Sequence, residues 1–324
     1  MYRNASLILS VVFAVSASVV HAEELPKQLG HTTKDVEVLV LSTNLADAGV
    51  GEWGFSALVR VDGTCILFDT GRYPKTVLEN AARLGVDLSC VRDVVLSHFH
   101  PDHIGGAVTV VRDILEKSPN AVIRVHVAER FFDRRRRRGE EYTAHIETGE
   151  ALRSLGVEII EHDGPAEIGP GVWITGPIAR THNERNWSAG VTLLEDEEWI
   201  EDYVPDDQAL TVVTDRGHIV LIGCGHAGTV NTLEAIQSSV ADSPIHALIG
   251  GLHLYEADEE TLAWTAAEMA RIGVENVMGG HCTGIEAVYR IRALAGLKRE
   301  TAVVASVGAS FRLGSGIHPL DLAR

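Results

Sequence analysis

The sequence predicts an α/β fold: an αββα sandwich of two mixed β-sheets with helices on the outer faces. Three observations lead there. Short runs rich in Val, Ile and Leu dominate each half of the chain, with segments of helical spacing between them. No repeat, low-complexity tract or second compositional domain interrupts that order. One of the apolar runs, Val94-Val95-Leu96, opens into Ser97-His98-Phe99-His100-Pro101-Asp102-His103-Ile104-Gly105-Gly106, where three imidazoles and one carboxylate fall within six residues.

The bulk properties narrow the reading. The chain has 324 residues, 45% of them apolar, enough for one large core. Its 28 basic and 45 acidic residues give a net charge of −17, which argues against general binding to nucleic acid or anionic membrane. Residues 1–22 read as a secretory signal: a basic start at Arg3, an apolar stretch from Ala5 to Val20, and small residues Val20 and Ala22 around a cleavage point. The apolar stretch is shorter than the roughly 20 residues of a membrane span, so stable insertion is not expected. Residues 23–324 are then one domain, delivered to the periplasm or secreted. Export permits disulfides, but Cys65 sits in an apolar run and reads as a small buried hydrophobe; a Cys65–Cys90 bridge is the alternative.

The elements follow in order. Val36 to Leu41 alternates as a first strand. Phe55–Val61 and Cys65–Phe68 are joined at Asp62-Gly63, a favoured hairpin pair. Pro74–Leu84 has helical spacing, Val91–Leu96 is the strand feeding the histidine loop, and Ala107–Lys117 is a helix. Val122–Val127 is a strand whose His126 reads as structural. Arg134–Arg138, five arginines in succession, reads as a solvated surface, with a rim attracting anions as the sharper alternative. Glu147–Leu155 is a helix, and strands follow at 157–160, 172–175, 187–194, 208–213 and 218–222. The acidic stretch Glu195–Asp207 reads as a solvated excursion rather than part of a site. Helices at 229–240, 258–272 and 285–294 alternate with strands at 245–249 and 274–278, and Ala302–Phe311 reads as one final strand.

Three segments carry chemistry. At the end of a strand, His98 and His100 leave on one side because alternate residues share a face. Pro101 stops further pairing, and Asp102 and His103 sit on the turn into a helix. Imidazole nitrogen and carboxylate oxygen suit zinc, and so tight a loop can serve two adjacent ions. Gly223-Cys224-Gly225-His226-Ala227-Gly228 and Gly279-Gly280-His281-Cys282-Thr283-Gly284 each follow a strand and set a histidine among small residues. Gly250-Gly251-Leu252-His253 does the same, and suits a supporting or substrate contact. His246 reads as structural.

His98-x-His100-x-Asp102-His103 resembles the signature loop of the metallo-β-lactamase-fold superfamily. The later segments resemble a branch of metal-dependent hydrolases that includes dihydropterin ribofuranosyl-aminobenzene phosphate synthases. The resemblance implies a metallo-β-lactamase-like sandwich over 23–324 with metals at one edge. It implies zinc as cofactor, two ions, with one ion or another divalent metal as the alternatives. His98, His100 and His226 would hold one ion, and Asp102, His103 and His281 the other. Asp102 would also act in catalysis, orienting water or relaying a proton. Leu67-Phe68-Asp69-Thr70-Gly71 resembles the superfamily's early acidic motif, in which the aspartate supports a ligand histidine. Most of the superfamily carries a metal-bridging aspartate near the position of Cys224, so Cys224 is either a thiolate ligand or a neighbour of the site. His182 is the alternative third ligand, ranked below His226. Iron-using relatives often carry a glutamate at the position of His100, which favours zinc here.

The expected function is hydrolysis of an ester, phosphoester or lactone by metal-activated water, acting on a small molecule, an anionic one if the arginine run forms a rim. Pterin-related group transfer and non-catalytic metal binding are the alternatives.

Overall fold

The computed structural model describes residues 32–187 and 189–321; the signal reading of residues 1–22 lies outside them. Two large mixed sheets face each other. The first has eight strands, in the order Gly316–His318, Ser310–Arg312, Val36–Ser42, Ser56–Val61, Thr64–Phe68, Val91–Val95, Arg124–Ala128, Glu158–His162. The second has seven, in the order Ala302–Val304, Val277–Gly279, Ile245–Gly250, Gly217–Ile222, Ala209–Thr214, Val172–Ile174, Ala166–Gly169. Their inner faces bury one core, in which Val38, Phe55, Val59 and Phe68 meet Leu210, Ile219, Leu221 and Met278. Helices Thr76–Arg83 and Ala107–Lys117 cover the outside of the first sheet, and Thr229–Ser239, Glu259–Ile272 and Ile285–Leu294 cover the second.

The strands that precede the histidine loops run parallel to their neighbours. Val91–Val95 lies between two parallel partners, and Gly217–Ile222, Ile245–Gly250 and Val277–Gly279 lie side by side in parallel. Their carboxyl ends therefore emerge at one edge of the sandwich, which is what gathers the three chemical segments.

Three expectations change. Ala302–Phe311 is not one strand: it splits into Ala302–Val304 in one sheet and Ser310–Arg312 in the other. The chain crosses between sheets at Gly308, whose φ of +89° an L side chain rarely adopts. The arginine run contributes the strand Arg135–Arg137 to a third, four-stranded sheet with Glu140–Tyr142, Val191–Glu195 and Glu198–Glu201. Cys65 and Cys90 form a disulfide, Cα atoms 5.7 Å apart, so Cys65 is not a free apolar filler. Asp258 caps the helix Glu259–Ile272 by accepting from the amide of Thr261.

Candidate metal centre

The strand Val91–Val95 delivers Ser97 to His103 to the sheet edge, and the four-residue helix Pro101–Ile104 turns the chain there. Proline at the first helical position loses no hydrogen bond, and Gly105 and Gly106 let the turn press against Arg72 and Thr70. His98 Nε2 lies 2.9 Å from His100 Nδ1, and His100 Nδ1 lies 3.2 Å from His226 Nε2. One donor atom from each of these three rings lies within 4.8 Å of the other two. Asp102, His103 and His281 form a second group by the same measure. His281 Nε2 is 3.4 Å and His103 Nε2 4.0 Å from Asp102 Oδ2. The structure thus brings together all six residues expected around the cations.

Asp69 stands where the early acidic motif was expected and holds the loop from behind. It accepts from the Ser97 amide at 2.7 Å and the Ser97 hydroxyl at 2.8 Å, and faces His103 Nδ1 at 2.7 Å. The Ser97 hydroxyl in turn lies 2.9 Å from His98 Nδ1. A Cβ on Gly223 would sit 2.0 Å from the Ser97 hydroxyl, so only glycine leaves room for this network. His226 Nδ1 is held by the Asn186 carbonyl. With one ring nitrogen occupied, His98, His103 and His226 each present the other inward.

Electrostatics follow from burial and proximity. Burial, with the neighbouring imidazoles, holds His98 and His226 well below the usual histidine range; burial takes His100 down to about 3. These three rings are neutral at pH 7, with lone pairs available. Burial also opposes protonation of His103, but the Asp69 carboxylate outweighs it and raises the ring to about 9. Burial opposes ionisation of Asp102, yet His281 and His103 hold it well below the carboxylate range. Burial pushes the Cys224 thiol well above its ordinary value.

Cys224 touches this centre directly: its Sγ lies 3.1 Å from His103 Nε2, and it groups with His98 and His103. His253 lies beside His226 with its ring tilted by 53°, centroids 4.7 Å apart, and groups with Cys224 and Cys282. His182, the alternative third ligand, does not join these groups; its Nε2 pairs with Glu234 at 2.8 Å. His126 bonds Asp93 at 2.9 Å and His246 pairs with Glu275, both away from the centre as expected.

The acidic stretch corrects the sequence reading. Asp202, Asp206 and Asp207 are buried rather than solvated. Asp206 accepts from the Phe99 amide, Asp207 from the Ala227 amide, and Gln208 donates its amide to the Ser97 carbonyl. The segment therefore ties the His98 loop to the His226 loop. Arg135, 1% exposed, neutralises it through Asp202 at 2.9 Å and Asp206 at 2.6 Å, and its guanidinium lies 3.9 Å from the Phe99 ring centroid. The arginine run is accordingly divided. Arg135 is structural, Arg134 pairs with Glu141, and Arg136 stacks on Trp199 at 4.0 Å. Arg137 and Arg138 line the mouth of a cleft of about 330 Å³, whose floor carries His100, Asp102, His226 and His281. Trp53 and Tyr255, both partly exposed, line it as well.

Comparison with known proteins gives the same grouping. Residues 54–240 match the family model described as the metallo-beta-lactamase superfamily. A 7,8-dihydropterin-6-methyl-4-(beta-D-ribofuranosyl)-aminobenzene-5'-phosphate synthase of Methanocaldococcus jannaschii is 27% identical over 267 residues, spanning 78% of this chain and 89% of that protein. Among solved structures, a metal-dependent hydrolase of the beta-lactamase superfamily superposes with a TM-score of 0.69 and 26% identity, over 86% of this chain and 99% of the other. Zinc-bound PqqB from Methylobacterium extorquens, 15% identical, shares the fold with a TM-score of 0.52 over 86% of this chain and all of that one.

Proposed function

Because the chain belongs to the metallo-β-lactamase superfamily, we propose that it is a zinc-dependent hydrolase acting on a small anionic ester, phosphoester or lactone. The observation that carries this reading is the convergence of two donor groups, His98/His100/His226 and Asp102/His103/His281, of which His100, Asp102, His226 and His281 line the cleft. The donor set suits cations. Nδ1 of His281 is buried without a hydrogen-bond partner among the described residues and Nε2 faces Asp102 only at 3.4 Å, so a cation bound at one of these nitrogens would relieve part of the cost of burying the ring. His98, His100 and His226 would hold one ion and Asp102, His103 and His281 the other, in imidazole-rich sets that favour zinc.

A divalent cation held by these residues would supply Lewis-acid polarisation of the group under attack and a water made more acidic by its charge. The chain supplies the rest. Asp69 fixes the ring of His103 through Nδ1, so Nε2 is the nitrogen it presents. Asp102, ionised at neutral pH, can orient the attacking water and take its proton. Arg137 and Arg138 draw an anionic substrate to the mouth of an otherwise acidic molecule. A second reading, group transfer in pterin chemistry, is supported by the 27% identity to the archaeal synthase. Export is supported by the Cys65–Cys90 disulfide, a bond that persists in oxidising compartments. Mass spectrometry of protein recovered from the periplasm should find Glu23 at the mature N-terminus.

The test is chelation followed by reloading with zinc, assayed on paired anionic and neutral chromogenic esters, phosphodiesters and lactones. Hydrolysis should vanish on chelation and return with zinc. A fully loaded protein inert to every one of these bonds would dismiss the hydrolase and favour the transfer reading.

A further inference from the structure

Two cysteines and a histidine remain beside the proposed centre with no role in it. Cys224 and Cys282 are both buried and both unpaired, although Cys65 and Cys90 are joined. Their sulfurs and a ring nitrogen of His253 lie within 4.8 Å of one another. All three residues line the cleft. They come from three separate strand ends, after Gly217–Ile222, Ile245–Gly250 and Val277–Gly279, as the centre's own histidines do.

The backbone is built to hold them there. His253 has a φ of +49° and His281, next to Cys282, a φ of +48°, both in the left-handed region unusual for histidine. Such conformations cost about 1–3 kcal/mol each and persist where the surroundings impose them, characteristically at ligand clamps. Each follows a strand and a Gly-Gly pair. A Cβ on Gly251 would stand 2.8 Å from the Cys282 sulfur, so this glycine leaves the space the thiol occupies. Nδ1 of His253 is buried without a hydrogen-bond partner among the described residues. The Cys282 sulfur lies 3.7 Å from the Cys224 carbonyl and also interacts with the Cys224 side chain and the His253 ring.

We propose that Cys224, His253 and Cys282 form a further cation position in the cleft, one that takes a sulfur-seeking divalent metal such as zinc. Two thiolates and one imidazole are the donor set of an open zinc site, which leaves a fourth position for an exogenous ligand; closed structural sites use four protein donors. The fourth position here faces the cleft, because all three donors line it. Cys224 also lies against His103, so this position adjoins the imidazole centre rather than standing apart from it. Thiolate donors further distinguish it in metal preference, since sulfur ligands select softer ions than nitrogen and oxygen do.

The experiment loads the metal-free full chain with Co2+ alone and records the sulfur-to-cobalt charge-transfer band in the near ultraviolet, beside the number of cobalt ions bound. The wild type should show the band. Cys282→Ser should lower it about twofold by removing one of two thiolates, and should leave the ions bound by His98, His100 and Asp102 in place. Since Cys282 is buried and its variant can fail to fold, zinc X-ray absorption of the unmodified protein serves as the second measurement. It should find sulfur neighbours at about 2.3 Å. An undiminished band in folded Cys282→Ser, no sulfur scattering in the wild type, or a Cys224–Cys282 disulfide in metal-loaded protein each overturns the inference. Cobalt bound without any sulfur band leaves the proposed hydrolase standing and removes only this position; absence of bound cobalt removes both.

Discussion

The two halves of the centre are held in opposite ways. On the side of residues 97–103, polar side chains set each ring: Ser97 meets His98, Asp69 meets His103, and Asp206 anchors the Phe99 amide between them. On the side of residues 250–282 the rings of His253 and His281 have little such support, and left-handed backbone after glycine pairs aims them instead. The first half is organised before any cation arrives. The second has unsatisfied nitrogens, so it gains most from one. The sandwich thus pairs a rigid, hydrogen-bonded ligand loop with strand ends whose polar atoms wait for a partner.

That contrast can be broken or sharpened by substitution. The largest effect is expected at the junction of the halves. His226→Ala removes a donor shared with His98 and His100, and should lower metal affinity and turnover by more than about 100-fold, read by titration and initial rates. Next is the clamp beneath the rigid half. Arg135→Ala strands Asp202 and Asp206 without their cation and should destabilise the fold by about 3–5 kcal/mol in urea unfolding. Its neighbour Arg134→Ala, which loses a surface pair with Glu141 and a 5.9 Å contact with the Trp199 ring, should cost about 1 kcal/mol. Asp69→Asn keeps the shape of the network but loses the carboxylate behind His103, and should weaken metal binding by about 10–100-fold. Replacing Arg137 and Arg138 together by glutamine should raise KM several-fold for anionic substrates and leave neutral ones unchanged, with kcat largely kept.

The smallest effect is a pH dependence away from the centre. Burial of Asp93 opposes its ionisation, but hydrogen bonds from His126 and Arg124 outweigh it and hold the carboxyl below 3.8. A depressed folded-state value means the stabilisation is complete above 3.8 and is lost as pH falls through the lower folded-state value. Asp93→Asn should therefore lower Tm modestly at neutral pH, where the stabilisation is complete, and converge with the wild type in acid, which flattens the acid limb of Tm against pH.

How much of this was legible in the sequence depends on range. The loop from His98 to His103 announces itself because its spacing is local, and the helices Ala107–Lys117 and Ile285–Leu294 match their expected bounds because their apolar periodicity is local too. Glycine-flanked His226 and His281 were readable for the same reason. The burial of Asp202 and Asp206 was not, since it depends on Arg135, 67 and 71 positions away, and a run of charges looks solvated until its partner is known. Cys282 gave no signal beyond adjacency to His281; its meaning comes from meeting Cys224 and His253 in space. The split of Ala302–Phe311 was hidden because an apolar stretch does not say which sheet it joins.

If rings from separate strand ends converge on bound cations, removing one ring must remove a cation. Calorimetric titration of the metal-free protein with zinc, wild type beside His226→Ala, tests it most directly. The wild type should bind at least two equivalents and the variant one fewer. Equal stoichiometry and affinity in the two proteins would contradict it.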